Sequence, residues 1–494
     1  MTDKMSNVTN DRRWLAMILL CLGELMIVLD TTIVNVALPS IREDLQFSES
    51  ALAWVVNAYM LTFGGFLLLG GRLGDLYGHK KLFLIGLVLF TLASLACGVA
   101  TTQGFLITAR AVQGMGGAVV SAVALSLMMD LFTEPAERAK AMGVYGFVCA
   151  GGGSVGVLLG GLLTSTLSWH WNFLVNIPVG IAVYLLSARL LPAIHKPPAH
   201  PSLDVAGALT VTGSLLLAVY AIVNGNEAGW TSLQTLGLLA VAAVLMAAFI
   251  LIESRIAAPL MPLGLFRHRN LSVSNLIGVL WAAAMFAWFF LSALYMQLVL
   301  AYTPMQVGLA FLPANLIMAA FSLGLSAKLV MRYGIRNCIT VGMLLVTIGL
   351  ALFIRAPVEG SFVIDVLPSM LLLGVGAGMA LNPVLLAAMG DVAPSESGLA
   401  SGVVNTSFMM GGALGLAILA SLAGSRTSEM LAGGADQLAA LTGGYQAAFV
   451  VGSIFGAVAV LASALLLKPV AMPTDADPHG AAPTPATGPA KDAA

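Results

Sequence analysis

Fourteen apolar stretches, each long enough to cross a bilayer as a helix, decide what this chain can fold into. They fall at 14–36, 51–70, 82–100, 105–129, 141–165, 173–191, 205–223, 233–252, 271–298, 307–327, 337–355, 363–385, 399–423 and 446–467. A helix rises ~1.5 Å per residue, so about 20 apolar residues cross a hydrocarbon core of ~30 Å. Inside that core backbone groups find no water, and a run of such segments satisfies them as helices. The stretch 271–298 is longer than a span needs and is expected to tilt or protrude. Composition agrees: 59% of the residues are hydrophobic and 9% charged, whereas roughly a quarter charged is usual for a soluble domain. An ordinary soluble enzyme is excluded, and the expected fold is an all-α integral membrane protein.

The placement of positive charge orients it. An even number of spans puts both termini on one side. That side holds Lys4, Arg12, Arg13, Arg72, Lys80, Lys81, Arg138, Lys140, Arg189, Lys196, Arg255, Arg267, Arg269, Lys328, Arg332, Arg336, Lys468 and Lys491. The other side holds Arg42, Arg355 and Arg426, and Arg110 is left inside a span. Basic residues gather in cytoplasmic loops, so both termini are expected in the cytoplasm. One miscounted early span would destroy the asymmetry.

Two Pro-containing cytoplasmic connectors, Ala193–Asp204 and Glu253–Asn270, divide the spans 6+2+6. The expected organisation is an N-terminal segment (1–13), a six-helix bundle (14–192), a linker with two extra spans (193–270), a second bundle (271–468) and a disordered cytoplasmic tail (469–494). Internal repetition agrees with this division. The loop expected after span 2 reads Gly71-Arg72-Leu73-Gly74-Asp75-Leu76-Tyr77-Gly78-His79-Lys80-Lys81. Ala327-Lys328-Leu329-Val330-Met331-Arg332-Tyr333-Gly334-Ile335-Arg336-Asn337 follows span 10. One constant offset aligns Arg72 with Lys328, then the Leu, Tyr and Gly, and Lys80 with Arg336, as a parallel duplication predicts.

Span 1 lacks a cleavage site and reads as a retained span, not a signal peptide. It carries Glu24 and Asp30, each costing on the order of 2.5–3.5 kcal/mol as a charge in the bilayer centre. A water-filled path in which an acid binds a proton or a cation makes that cost tolerable. A helix-end acid bonded to Thr31, Thr32 or Asn35 is the structural alternative for Asp30, and a protonated, hydrogen-bonded acid for Glu24. Arg110 must pair with a carboxylate, backbone carbonyls or water, or else snorkel to the interface. Cys21, Cys97, Cys149 and Cys338 sit in apolar segments and read as small buried hydrophobes, not as a disulfide or metal site. No phosphate-binding Gly-x-x-x-x-Gly-Lys-Ser/Thr loop is present, so ATP hydrolysis by this chain is not expected. No nucleophile–base pair suggests an enzyme. No cofactor, metal or nucleic acid is expected.

Three motifs together resemble the major facilitator superfamily, in particular its fourteen-span drug:proton antiporter branch, over residues 14–468. Gly71–Lys81 is similar to the superfamily's Gly-x-Leu-x-Asp-x-x-Gly-basic-basic signature. Leu29-Asp30-Thr31-Thr32-Ile33-Val34-Asn35-Val36-Ala37-Leu38-Pro39, read as the exit from span 1, is similar to the branch's span-1 signature, and Leu106-x-x-x-Arg110-x-x-Gln113-Gly114 to the arginine signature of span 4. The resemblance implies a multi-pass transporter of the bacterial inner membrane, working by alternating access. It would export amphipathic or cationic compounds against protons, with membrane lipids around it and a periplasmic adaptor as a candidate partner. A lipid or single-metabolite transporter on the same scaffold, or a non-transporting membrane sensor, are the alternatives.

The resemblance also implies roles. Asp30, Glu24 and Arg110 are candidates for proton coupling. Gly71, Arg72, Gly74, Asp75, Gly78, Lys80 and Lys81 would form a tight cytoplasmic gate, with a simple charged turn as the alternative. In span 5, Gly152, Gly156, Gly160 and Gly161 match the branch's glycine positions and permit close helix packing, while Val157 stands where that signature has a proline. Beside the resemblance, intramembrane aromatics and amides supply material for a pocket that takes cations over aromatic faces. The substrate-binding candidates are Glu24, Asp30, Trp54, Asn57, Tyr59, Gln113, Trp281, Phe286, Tyr295, Gln297, Asn382 and Asn405. Lipid-facing aromatics and helix–helix amide bonds are the plainer uses of the same residues.

Overall fold

The computed structural model describes residues 10–132, 134–192, 204–256, 259–392 and 397–468, and its regular elements are all helical. The segment 1–9, the Lys196–Pro201 connector, the turn with Pro394 and Glu396, and the tail beyond Lys468 lie outside the described residues. The long helices are α1 (Asn10–Leu45), α2 (Trp54–Tyr77), α3 (His79–Gly98), α4 (Gln103–Leu131), α5 (Pro135–Thr166), α6 (Asn176–Leu190), α7 (Val205–Ala228), α8 (Leu233–Arg255), α9 (Arg269–Leu294), α10 (Pro304–Ala320), α11 (Ile335–Phe353), α12 (Leu367–Met389), α13 (Ser397–Ala432) and α14 (Gln437–Leu466).

Among the described residues, 12 helices are long and apolar enough to cross a membrane, against the fourteen spans expected. The two expected spans outside that count coincide with α5 and α10. Helix α5 has 32 residues but is only partly described at the side-chain level. Helix α10 stops at 17 residues. Pro304 opens it, and a π-helical stretch (Phe321–Leu325) with Gly324 at φ 124° separates it from the continuing helix Ser326–Tyr333.

The packing repeats as the duplication predicts. Helix α1 packs on α5 as α9 packs on α13, α2 on α4 as α10 on α12, and α3 on α4 as α11 on α12. The two sets meet reciprocally, α5 against α10 and α2 against α13, while α7 and α8 pack on each other and α7 also covers α2 and α13. The repeated motif folds alike in both copies. Gly78 (φ 94°, ψ 126°) and Gly334 (φ 82°, ψ 158°) each form a one-residue break between two helices. Both N–H groups close the preceding helix, onto Gly74 O at 2.9 Å and Val330 O at 2.8 Å. A side chain is strained at such positive φ, which explains the glycine in both copies.

Two expectations are corrected here. Gly71–Lys81 is not a loop: Gly71–Tyr77 finish α2, His79 starts α3, and only Gly78 is non-helical. A single residue in the positive-φ region turns the chain, so no longer loop is required. Likewise Leu29–Pro39 is not the exit of span 1, because α1 continues through Pro39 to Leu45. Pro39 lacks an N–H for the Asn35 carbonyl, yet the apolar Ile41 and Leu45 beyond it are buried and hold the helix together. Asp30 therefore lies near the middle of a 36-residue helix, not near its end.

Candidate functional site

Helices α4 and α6 bring polar side chains to Asp30 of α1, and α2 and α3 support them through Tyr59 and Ser94. Its carboxylate is 0% exposed and the Arg110 side chain 1%. Arg110 Nη1 donates to Asp30 Oδ2 at 2.5 Å. The other carboxylate oxygen accepts from Gln113 Nε2 at 2.7 Å and Asn176 Nδ2 at 3.1 Å. Arg110 is held further by Nε donating to Val55 O (2.9 Å) and Nη1 to Gln113 Oε1 (2.7 Å), and its guanidinium lies 4.4 Å from the Tyr59 ring centroid. Ser94 Oγ accepts from both Gln113 Nε2 (3.1 Å) and Asn176 Nδ2 (3.0 Å) and donates to Phe173 O (2.9 Å).

Chain geometry explains the assembly. Arg110 and Gln113 are three residues apart and share one face of α4. Close approach of α2 to that face needs Gly114, whose hypothetical Cβ would strike Thr62 and the Tyr59 carbonyl. A buried ion pair is tolerable when its remaining lone pairs and protons are bonded, and here both carboxylate oxygens are. Thr31 and Thr32 donate to Val28 O and Asn35 to Thr31 O, so they bond backbone and not the Asp30 carboxylate. The helix-end and snorkelling alternatives for Asp30 and Arg110 do not describe this geometry. Ser94 and Asn176 escaped the sequence reading; their only signal was a small polar side chain in or at the start of an apolar span.

Glu24 occupies a separate place on α1. It is 6% exposed, accepts from Ser121 Oγ of α4 at 3.1 Å, and is hydrogen-bonded by Tyr145 of α5. Its Oε2 has no partner among the described residues.

The substrate-binding candidates scatter. Tyr59 and Gln113 belong to the Asp30 cluster, and Asn57 is fully buried with both amide atoms unpartnered among the described residues. Trp54 meets Tyr220 of α7 at 6.3 Å and Trp281 meets Phe408 of α13 at 6.0 Å. Tyr295 donates to Pro357 O at 2.7 Å, and Gln297 Nε2 to Val36 O of α1 at 3.1 Å. Phe286 lies beside Gly412 together with Met60, where the two bundles meet. Asn382 and Asn405 are half-buried.

In the Gly71–Lys81 motif, Asp75 accepts from His79 Nε2 at 3.1 Å and lies 3.9 Å from Arg72, while His79 Nδ1 is 3.4 Å from Asp130 Oδ2 of α4. His79 and Asp130 were not among the sequence candidates. Lys80 donates to Leu191 O at 2.7 Å and Lys81 is exposed. A methyl at Gly74 would press on His79 and Val123, whereas one at Gly71 would meet only Ala122 at 3.9 Å. The close approach is therefore at Gly74, not Gly71. Among the span-5 glycines, Gly152, Gly156 and Gly160 face Leu25–Ile33 of α1, and Gly161 faces Pro304 and Met305 of α10. Val157 is buried in a helix that runs on through the proline position, its carbonyl against Gly308.

The sequence profile of the Major Facilitator Superfamily matches residues 20–416. The chain belongs to the major facilitator superfamily. It is a transporter, not an enzyme. A puromycin resistance protein of Streptomyces alboniger is 39% identical over 457 residues, covering 92% of this chain and 90% of that one. A cephamycin export protein of Amycolatopsis lactamdurans is 38% identical, covering 86% and 87%. The fold is also that of a bacterial homologue of the human lysosomal transporter Spinster, at TM-score 0.64 and 15% identity, covering 94% of this chain and 100% of that one. The Asp30–Arg110 cluster is built from α1, α2, α3, α4 and α6.

Proposed function

We propose that this transporter exports amphipathic or cationic drug-like compounds by proton antiport, through alternating access of two six-helix bundles. Its fourteen spans are arranged 6+2+6 with both termini in the cytoplasm of a bacterial inner-membrane protein; the charge asymmetry supports this orientation. The relatives are resistance and export proteins, and the chain is a drug-export transporter of that kind.

The observation that carries the coupling is the fully buried Asp30, held by Arg110, Gln113 and Asn176. Protonation of Asp30 would discharge the carboxylate and leave Arg110 to its Val55, Gln113 and Tyr59 contacts. That change alters the cost of every helix arrangement that keeps the site dry. Glu24, with one unpartnered oxygen, is the second proton or cation acceptor on the same helix. The Gly71–Lys81 motif acts as the cytoplasmic gate.

Purified protein in proteoliposomes with an imposed pH gradient should expel a lipophilic cationic dye and move protons in the opposite direction. Asp30→Asn should lose the proton movement. Undiminished dye-dependent proton movement in both Asp30→Asn and Glu24→Gln would overturn the assignment. Several relatives are named for one compound (puromycin, cephamycin, lincomycin), which favours a narrow substrate range as the second reading. Resistance to a single compound in a pump-deficient strain would select it over broad drug export.

A further inference from the structure

Away from this cluster, the linker hairpin buries two more acids against each other. Asp204 caps the start of α7 and is 2% exposed; Glu253 lies in the last turn of α8 and is 3% exposed. One oxygen of each is accounted for. Asp204 Oδ1 accepts from Gly207 N–H at 2.7 Å, and Glu253 Oε2 from Met261 N–H at 3.1 Å. The remaining oxygens, Asp204 Oδ2 and Glu253 Oε1, accept from no donor among the described residues. Both crowd Gly207, and the two side chains are within hydrogen-bonding reach of each other.

Two ionised carboxylates have no hydrogen to share. Buried in contact, they cannot both carry charge, and one proton converts two orphaned acceptors into a donor and its acceptor. The surroundings offer little else. Leu69, Ala208 and Leu260 are buried there, with Phe66, Leu68 and Leu73 of α2 around them. The charged residues on the packed elements are Arg72 and Asp75, near each other at the end of α2, and Arg255, two residues beyond Glu253 on α8. Glu227 of α7, Arg426 and Glu429 of α13, and Glu49 of the short helix Glu49–Leu52 lie toward the opposite ends of their elements or of the hairpin.

We propose that Asp204 and Glu253 form a proton-binding site in which a single proton is shared between Asp204 Oδ2 and Glu253 Oε1. It is separate from Asp30 and does not depend on how transport is coupled. The proton comes from water on the side where the hairpin ends; it is covalently bound to one carboxyl and hydrogen-bonded to the other. Asp204 ends the connector from the first bundle, and Glu253 holds Met261 in the connector to the second. The shared proton thus ties both connectors together at the base of the hairpin, and its loss puts two like charges in contact there.

Infrared spectroscopy of the full chain in lipid nanodiscs tests this, using a Glu24→Gln/Asp30→Asn background to remove the two buried acids of α1. A protonated-carboxyl carbonyl band should be present at neutral pH and disappear in both Glu253→Gln and Asp204→Asn, whose amides donate to the remaining carboxylate. The melting temperature should fall from neutral to alkaline pH in the parent protein and lose most of that slope in either variant. Two variants keep the test open should one fail to fold. A carbonyl band unchanged by both substitutions overturns the proposal. So does a missing band with a melting temperature that rises on adding sodium or calcium ions, which would place a metal cation between the acids.

Discussion

Arg110 Nη1 lies 2.5 Å from Asp30 Oδ2 in a pair that is at most 1% exposed on either side. Removing one partner leaves an uncompensated buried charge, a loss of about 3–5 kcal/mol, whereas removing both leaves none. Arg110→Gln and Asp30→Asn should each lower thermal stability clearly. The double variant should be more stable than the sum of the two predicts, by about 1–3 kcal/mol of coupling. Thermal unfolding of the four proteins in one detergent measures this cycle, and additive losses would mean that the contact is not energetically coupled.

Asn176 and Ser94 make a separate claim testable. Asn176 Nδ2 bridges Asp30 Oδ1 and Ser94 Oγ, so it positions the carboxylate without itself carrying charge. Asn176→Ala removes one hydrogen bond to a charged acceptor, about 1.5–3 kcal/mol that favours the ionised form. Without that donor the ionised carboxylate loses one of its three side-chain hydrogen-bond partners, Arg110, Gln113 and Asn176. If Asp30 carries the coupling proton, the pH profile of efflux should change in Asn176→Ala. An unchanged profile with merely lower stability would assign Asn176 a packing role.

How much of this was legible beforehand differs by residue. The positions of α1–α4 and the importance of Asp30 and Arg110 could be read because a charge in an apolar run is costly and the surrounding motifs are specific. Their mutual contact could not, since nothing in sequence spacing sets the rotation of α1 against α4. Ser94 and Asn176 were illegible for a related reason: a hydroxyl or amide in a span is cheap, and only its neighbours reveal its use. The Gly71–Lys81 segment reads as a loop because polar and glycine residues resemble a turn, although a single positive-φ residue, Gly78, is enough to reverse the chain. Gly334, in the second copy, turns the chain in the same way.

The structure adds two side chains, His79 and Asp130, to the proposed gate. His79 has one ring nitrogen 3.1 Å from Asp75 and the other 3.4 Å from Asp130, so it bridges α2 to α4. Asp75→Ala and Asp130→Asn should both express and both slow efflux several-fold, while Glu43→Gln, exposed and outside the motif, should stay near the parent rate. Initial rates of dye efflux at matched protein levels check the three together. Parent rates in Asp75→Ala would remove the gate from the mechanism.

Packing of α5 on α1 allows the sharpest contrast between two similar substitutions. A methyl group at Gly160 would sit 2.6 Å from the Ile33 carbonyl oxygen and 2.9 Å from the Ile33 side chain, three residues along from Asp30 on α1. Backbone cannot yield as a flexible side chain can, so the helices must part. Gly160→Ala should destabilise the protein by about 1–3 kcal/mol, as overpacking does, and should weaken transport by disturbing α1. At Gly151, on the same helix, a methyl meets nothing within 4 Å. There the substitution should be neutral or stabilising by up to about 1 kcal/mol, the gain in helix propensity. Melting temperatures of the two variants measure the contrast directly; equal shifts would mean that the glycine face of α5 does not set its distance from α1.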